Sequence, residues 1–195
     1  MLNPPSFRSA RLTYRPLEKD DADFVLEMLS DPYTQMTALG PPTVPYGKTK
    51  SEEILKAVMD ATLAIAVCIP PATDDAKEEV IGWLRLSGGP AYAAVNRKAT
   101  FGLSFKAGHQ GKGYGVEAME WLLETAFIQY GFNRLECEAF AWNEPANKLY
   151  KKLGFVEEGR KRQSLYQGGE FRDEVMYGML AEEWRAQNKD KLQPN

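Results

Sequence analysis

The 195-residue chain contains two cysteines and one histidine, too few for a disulfide framework or a zinc site built on those side chains. Cys68 and Cys137 both fall in apolar, strand-like stretches without Cys-x-x-Cys or Cys/His spacing, and they read as buried, reduced thiols. Long apolar runs are missing too. The longest, Ala61 to Ile69, is interrupted by Thr62 and falls far short of the ~20 residues that span a bilayer. The opening MLNPPSFRSARL has no apolar core of the ~7–15 residues a signal peptide needs, and Pro4-Pro5 opposes a transit helix. A cytoplasmic address is therefore expected, with the nucleus open. An excess of positive charge is absent: 24 Lys+Arg against 27 Asp+Glu give a net charge of -3, the wrong sign for tracking a nucleic-acid backbone. The Walker pattern GxxxxGK[ST] does not occur, which removes P-loop nucleotide hydrolysis.

What is present is a composition of 44% hydrophobic, 26% charged and 11% aromatic residues, suited to one domain with a core of its own. No linker or repeat divides it, so a single domain over 1–187 and a polar, frayed tail over 188–195 are expected. Arg11 to Pro16 alternates like a strand that a proline ends. Asp20 is placed to cap a helix with the stripe Ala22, Phe24-Val25 and Met28-Leu29. Proline, glycine and weak periodicity make Tyr33 to Lys48 read as a long loop, and Thr49-x-x-Glu52 as a capping box opening a second helix that ends near Ala61. Two strands, Leu63 to Ile69 and Val80 to Leu86, flank a hairpin loop at Pro70 to Asp75, and Gly88-Gly89-Pro90 breaks the chain before a fourth strand, Lys98 to Phe105.

That strand runs into Gly108-His109-Gln110-Gly111-Lys112-Gly113-Tyr114-Gly115 and then into a helix with apolar positions Val116, Met119, Leu122-Leu123, Ala126-Phe127 and Tyr130. A helix start offers unpaired N–H groups and the positive end of the helix dipole, and glycines let backbone come close to a ligand, so the loop suits a phosphate or pyrophosphate. A plain tight turn would also use glycines. A dinucleotide fingerprint, with Glu136 or Glu138 as the ribose acid, can be laid on Gly113 to Ala118, although that fold expects its glycine loop in the first β-α unit. Beyond lie a strand from Arg134 to Trp142, a helix from Ala146 to Leu153 closed by Gly154, and two strands, Phe155 to Gln163 and Glu174 to Leu180, around Gln167-Gly168-Gly169-Glu170.

Gln110-Gly111-Lys112-Gly113-Tyr114-Gly115 resembles the Q/R-x-x-G-x-G/A pyrophosphate loop of the GNAT superfamily of N-acetyltransferases. Asn143 to Phe155 is similar to the same family's N-x-x-[SA]-x-x-x-Y-x-x-x-G-F stretch. Arg11-Leu12-x-x-Arg15-Pro16 and the segment from Gly169 to Trp184 resemble the branch of ribosomal-protein-alanine N-acetyltransferases, so the likeness covers nearly the whole chain. The resemblance implies an α/β fold of mixed α+β type, a strongly twisted mixed sheet of about seven strands with flanking helices, in which the fourth and fifth strands splay apart. It implies acetyl-CoA as acyl donor, held by backbone groups of Leu103 and Phe105, by the loop residues Gln110, Gly111, Lys112, Gly113, Tyr114 and Gly115, and by Asn143. Tyr150 would be the proton donor to the departing thiolate, and an amine the acceptor, in a monomer or homodimer.

One departure stands out. Members of this branch often carry a glutamate two positions before the glycine of the fourth strand, and here that position is Thr100. Glu136 and Glu138 are left as bases acting through water, or as a solvated strand face, and His109 reads as a surface loop residue. Three functions are carried forward: an acetyltransferase, a nicotinamide enzyme, and an acyl-CoA sensor without catalysis. Acceptor choice is expected to reside in the second helix and the Tyr33 to Lys48 segment.

Overall fold

Residues 6–40, 42–71, 73, 77–88 and 95–192 are described by a computed structural model. Strand β1 (Thr13–Pro16) ends at a residue without an N–H, and Arg15 beside it grips Asp21 through two hydrogen bonds of 2.8 Å. Asp21, not Asp20, stands at the N-cap of helix α1 (Ala22–Ser30); Asp20 lies inside a 3-10 turn, Lys19–Asp21. The Asp21 carboxylate also accepts the N–H of Glu18 at 2.8 Å, so it joins strand end and helix start. Burial alone would raise this carboxyl, but Arg15 and the Glu18 N–H outweigh it and hold it below the usual range. Asp21→Asn should cost about 2 kcal/mol, because a part-buried guanidinium loses one of its two charged partners, Glu78 being the other. The contribution is present above the unfolded carboxyl value near ~4 and is lost as pH falls through the lower folded value. The difference between the two proteins in urea melts should therefore be full at pH 7 and smaller at pH 3.

The stretch expected as a long loop is folded for half its length. Helix α2 (Pro32–Thr34) is capped by Asp31, whose carboxylate accepts from the backbone N–H of Thr34 at 2.8 Å and from its hydroxyl at 2.6 Å, and it runs on as a π turn, Gln35–Leu39. Buried Gln35 bonds through its side-chain amide to the Leu29 carbonyl and to both backbone groups of Val44. This is side-chain cross-bracing, which sequence periodicity does not register. Helix α3 (Lys48–Met59) starts at Gly47 without a side-chain cap, so the Thr49/Glu52 capping box is not formed.

Strands β2 (Leu63–Ile69), β3 (Glu79–Gly88) and β4 (Lys98–Phe105) follow as antiparallel neighbours. The hairpin loop expected at Pro70 to Asp75 and the break at Gly89-Pro90 fall largely outside the described residues. Helix α4 (Tyr114–Glu124), extended by a π turn to Gln129, buries Met119, Leu122, Leu123 and Phe127 of the expected stripe, while Tyr130, its last position, caps the end of the π turn and is exposed. Then come β5 (Arg134–Phe140), α5 (Glu144–Lys152), β6 (Val156–Gln167) and β7 (Glu170–Leu180). Gly168 and Gly169, at φ +63° and +84°, make the two-residue hairpin turn between β6 and β7, strands longer than the pattern suggested. Helix α6 (Ala181–Gln187) leads into α7 (Lys189–Leu192), where a frayed tail was expected.

The seven strands form one sheet in the order β1-β2-β3-β4-β5-β7-β6. Only β4 and β5 are parallel, and they pair over three residues, Lys98 to Thr100 against Arg134 to Glu136. Beyond Thr100 the two strands part, which is the splay the resemblance implies. A sheet with one parallel pair is not the succession of parallel β-α units a dinucleotide fold requires, so the nicotinamide reading is withdrawn. One face of the sheet is covered by α4 and by Tyr150, Phe155 and Trp184, and the other by α1 and α3 over Ala66, Cys68 and Trp83.

Candidate active site

Where β4 and β5 part, a cleft of about 860 Å³ opens along the sheet. Its β4 wall follows from strand alternation. The Lys106 N–H bonds to Ile81 of β3 at 2.9 Å, so Ser104 and Gly102 also turn their backbone groups to β3, while Leu103 and Phe105 turn theirs to the gap. Leu103 and Phe105 line the cleft as the sequence suggested, and the Phe105 carbonyl accepts from the Gln110 amide at 2.9 Å. That bond ties the glycine loop to the end of β4.

Gly111 and Gly113 have φ of +73° and +84°, and Gly113 is the N-cap of α4 with no side-chain cap. The first N–H groups of the helix are thus left for an anion rather than for a serine or aspartate. Gln110, Gly111, Gly113 and Gly115 line the cleft; Lys112 and Tyr114 are not in its wall. Instead, the Lys112 carbonyl accepts from Arg11 at 3.0 Å, and the Arg11 guanidinium lies 4.6 Å from the centre of the Tyr114 ring. Arg11 is held in turn by Glu117, which also accepts from Ser9 at 2.6 Å. The chain's first segment therefore braces the loop over a separation that sequence spacing could not reveal.

On the far wall, Asn143 caps α5 by accepting from the Ala146 N–H at 3.1 Å, and its amide N–H donates to the Thr37 carbonyl at 2.8 Å. Trp142 donates to the Met36 carbonyl at 2.9 Å. These bonds fasten the π turn to the β5-α5 corner. Both side-chain groups of Asn143 are thus engaged within the chain.

Tyr150 projects from α5 into the gap, between Phe101, Phe155 and Tyr177, with ring centres 5.5–5.8 Å away. It lines the cleft while only 6% exposed. Burial, and then the neighbouring Cys137 thiol, push its phenol well above the ordinary value near 10. The hydroxyl therefore keeps its proton through the whole neutral range. Cys137, which spacing left as an inert thiol, is the side chain beside it, and burial drives its own acidity far down.

The acidic side chains of the cleft are all committed. Thr100 sits opposite Glu136 in the β4-β5 register, so a carboxylate does reach the neighbourhood of the missing glutamate. It bonds to Lys98 and Arg134, both at 3.0 Å. Burial works against its ionisation, but these two cations outweigh it and hold the carboxyl below the usual range. Glu158 is taken by Arg134 and Glu138 by Lys161. His109 also lines the cleft, with Nε2 3.3 Å from Glu79 and a buried Nδ1 without a partner among the described residues, a more enclosed position than the surface loop expected for it. Among the described residues, no group of three or more His, Cys, Asp or Glu could hold a metal ion, and no helix is long and apolar enough to cross a membrane.

Residues 11–156 match the family model of the acetyltransferase (GNAT) domain. The chain is similar to the uncharacterized N-acetyltransferase p20 of Bacillus licheniformis, 28% identical over 89% of this chain and 95% of that one. Its likeness to YdaF of Bacillus subtilis, provisionally named a ribosomal N-acetyltransferase, is 36% identity over 48% of this chain and about half, 51%, of the relative. The fold is similar to that of the spermidine N-acetyltransferase of Vibrio cholerae solved with CoA and spermine, with a TM-score of 0.74, 22% identity, and coverage of 90% of this chain and 99% of that one.

Proposed function

Since the chain belongs to the GNAT acetyltransferases and is an N-acetyltransferase that uses acetyl-CoA, we propose that it passes the acetyl group directly to a primary amine within a ternary complex. The observation that carries this reading is the gap itself: β4 and β5 part after three pairs and leave Leu103 and Phe105 facing an uncapped helix start at one end and a protonated phenol at the other. Leu103 would bond to an extended amide-bearing arm as a neighbouring strand does. The N–H groups after Gly113, with the loop from Gln110 to Gly115, would hold a pyrophosphate. Asn143 serves this site by shaping the corner that its two hydrogen bonds lock.

In the step itself, the amine nitrogen bonds to the thioester carbonyl carbon as the C–S bond breaks. The departing sulfur, leaving as thiolate, accepts a hydrogen bond from the Tyr150 hydroxyl, the amine's proton leaves through water, and water protonates the thiolate. A free thiol has a pKa near ~8.5, below that of a buried phenol, so full proton transfer is uphill. Tyr150 accordingly acts by donating a hydrogen bond that strengthens as charge grows on sulfur. Tyr150 is also what favours an enzyme over a sensor, since binding alone needs no phenol in the gap.

Neither cysteine suits an acyl-enzyme. Burial, and then Glu78, push Cys68 up to about 12, and Cys137 lies higher still, so both remain thiols at neutral pH. Incubated with acetyl-CoA and an amine, the protein should release CoA thiol only while amine is present, with intersecting initial-rate lines and no acetyl mass on either cysteine. Parallel lines with an acetylated cysteine in the mass spectrum would replace direct transfer by a two-step route.

A further inference from the structure

Arg85 is half-buried in the cleft wall and makes no ion pair or side-chain hydrogen bond among the described residues. Its strand neighbour across the β3-β4 ladder is Gly102, and a Cβ at Gly102 would come within 2.9 Å of Arg85 Nε and 3.4 Å of its Cγ. The arginine therefore lies directly across β4, in a path only a glycine leaves free. Gly102 and Thr100 share a strand face, with Glu136 beside Thr100 in register. Tyr150 packs on Phe101, whose side chain points to the other face. An amine entering over Arg85 would thus meet the thioester from the side opposite Tyr150, so the guanidinium stands where the body of the acceptor must lie.

The charges around it decide what it can recognise. Glu136, Glu138 and Glu158 line the same cleft, and each is already neutralised by Lys98, Arg134 or Lys161. A second ammonium on the acceptor, as in a polyamine, would have to displace one of these pairs. An anion meets a planar five-donor cation with no partner to displace among the described residues. We infer that Arg85 is the specificity-determining residue for an acceptor that carries a carboxylate as well as its primary amine. This rests on the acetyltransferase reading above and narrows its acceptor class. The carboxylate can belong to a free amino acid or to an acidic side chain near a peptide N-terminus, and both present the same group to the guanidinium.

The test compares matched acceptors: free L-amino acids against their carboxamides, and peptides Ser-Glu-Ala-amide against Ser-Gln-Ala-amide, with spermidine as a third arm. The carboxylate member of at least one pair should have kcat/KM at least tenfold above its amide partner and above spermidine, and the pair that shows it identifies the source. In Arg85→Gln that preference should shrink to within about twofold through a higher acceptor KM, the KM for acetyl-CoA staying within about twofold. Arg85→Lys should restore part of it. Preference for spermidine or for the amides overturns the inference, as does an Arg85→Gln protein that keeps the full preference. If Arg85→Gln does not fold, the preference of the unmodified protein and Arg85→Lys decide it. Failure of every amine to release thiol from acetyl-CoA would instead strike the acetyltransferase reading, so the two outcomes are separable.

Discussion

Replacing Tyr150 by phenylalanine is expected to lower kcat by about 10²-fold or more while the KM for acetyl-CoA changes by less than about threefold. The magnitude is that of losing one hydrogen-bond donor aimed at developing charge, for which ~10²–10³ is typical. The split follows from the proposed role: the hydroxyl meets sulfur strongly only once charge develops there, so its loss removes stabilisation of the transition state and leaves ground-state binding. Phenylalanine keeps the ring among Phe101, Phe155 and Tyr177, so the melting temperature should move little. The pH profile gives a second readout. Because burial raises the phenol well above 10, the donor stays protonated throughout an assay range ending at pH 10, and the native enzyme should show no falling limb there from this group. The rate should rise toward the amine's own pKa, since every cleft carboxylate is already paired with a cation. A wild-type kcat in a folded Tyr150→Phe protein would make Tyr150 an ordinary aromatic of the core.

Much of this site could be read from one chain because its chemistry sits on local pattern. The glycine loop follows a period-two strand and opens a period-3.6 helix, and Tyr150 lies within a helix bounded by Asn143 and Gly154. Neighbours in sequence are neighbours in space there. What escaped notice depends on contacts across long separations. Arg11 and Glu117 are 106 positions apart, as are Trp142 and Met36, and each pair joins segments with no shared pattern. Gln35, an unremarkable glutamine inside a proline-rich stretch, turned an expected loop into helix by satisfying three backbone groups at once. Arg85 had no local signal either: an arginine in a strand reads as a solvated side chain until the sheet sets Gly102 beside it. The capping residues were missed for a related reason. Asp20 and Asp21 are chemically equal in sequence, and Arg15 on the preceding strand selects the second.

Gly113→Val should raise the KM for acetyl-CoA at least tenfold and lower the melting temperature by several degrees. Two separate costs combine. Gly113 holds φ +84° and ψ -2°, a left-handed conformation that costs an L residue about 1–2 kcal/mol, and more for a β-branched one. For a chain of this size that corresponds to roughly 2–4 °C per kcal/mol. In addition, a Cβ here would stand 3.3 Å from the Arg11 guanidinium, the group that bonds to the Lys112 carbonyl and rests on Tyr114. The valine would either push Arg11 away or twist the loop out of its left-handed turn. Both movements misalign the N–H groups at the start of α4. Gly168→Val separates strain from ligand loss. Gly168 also has positive φ, +63°, with nothing within 4 Å of its Cβ position, and it lies at the β6-β7 turn outside the cleft wall. It should lose comparable thermal stability and keep the native KM. Equal KM values for Gly113→Val and the unmodified protein, in samples that melt cooperatively, would reduce the glycine loop to a tight turn between a strand and a helix.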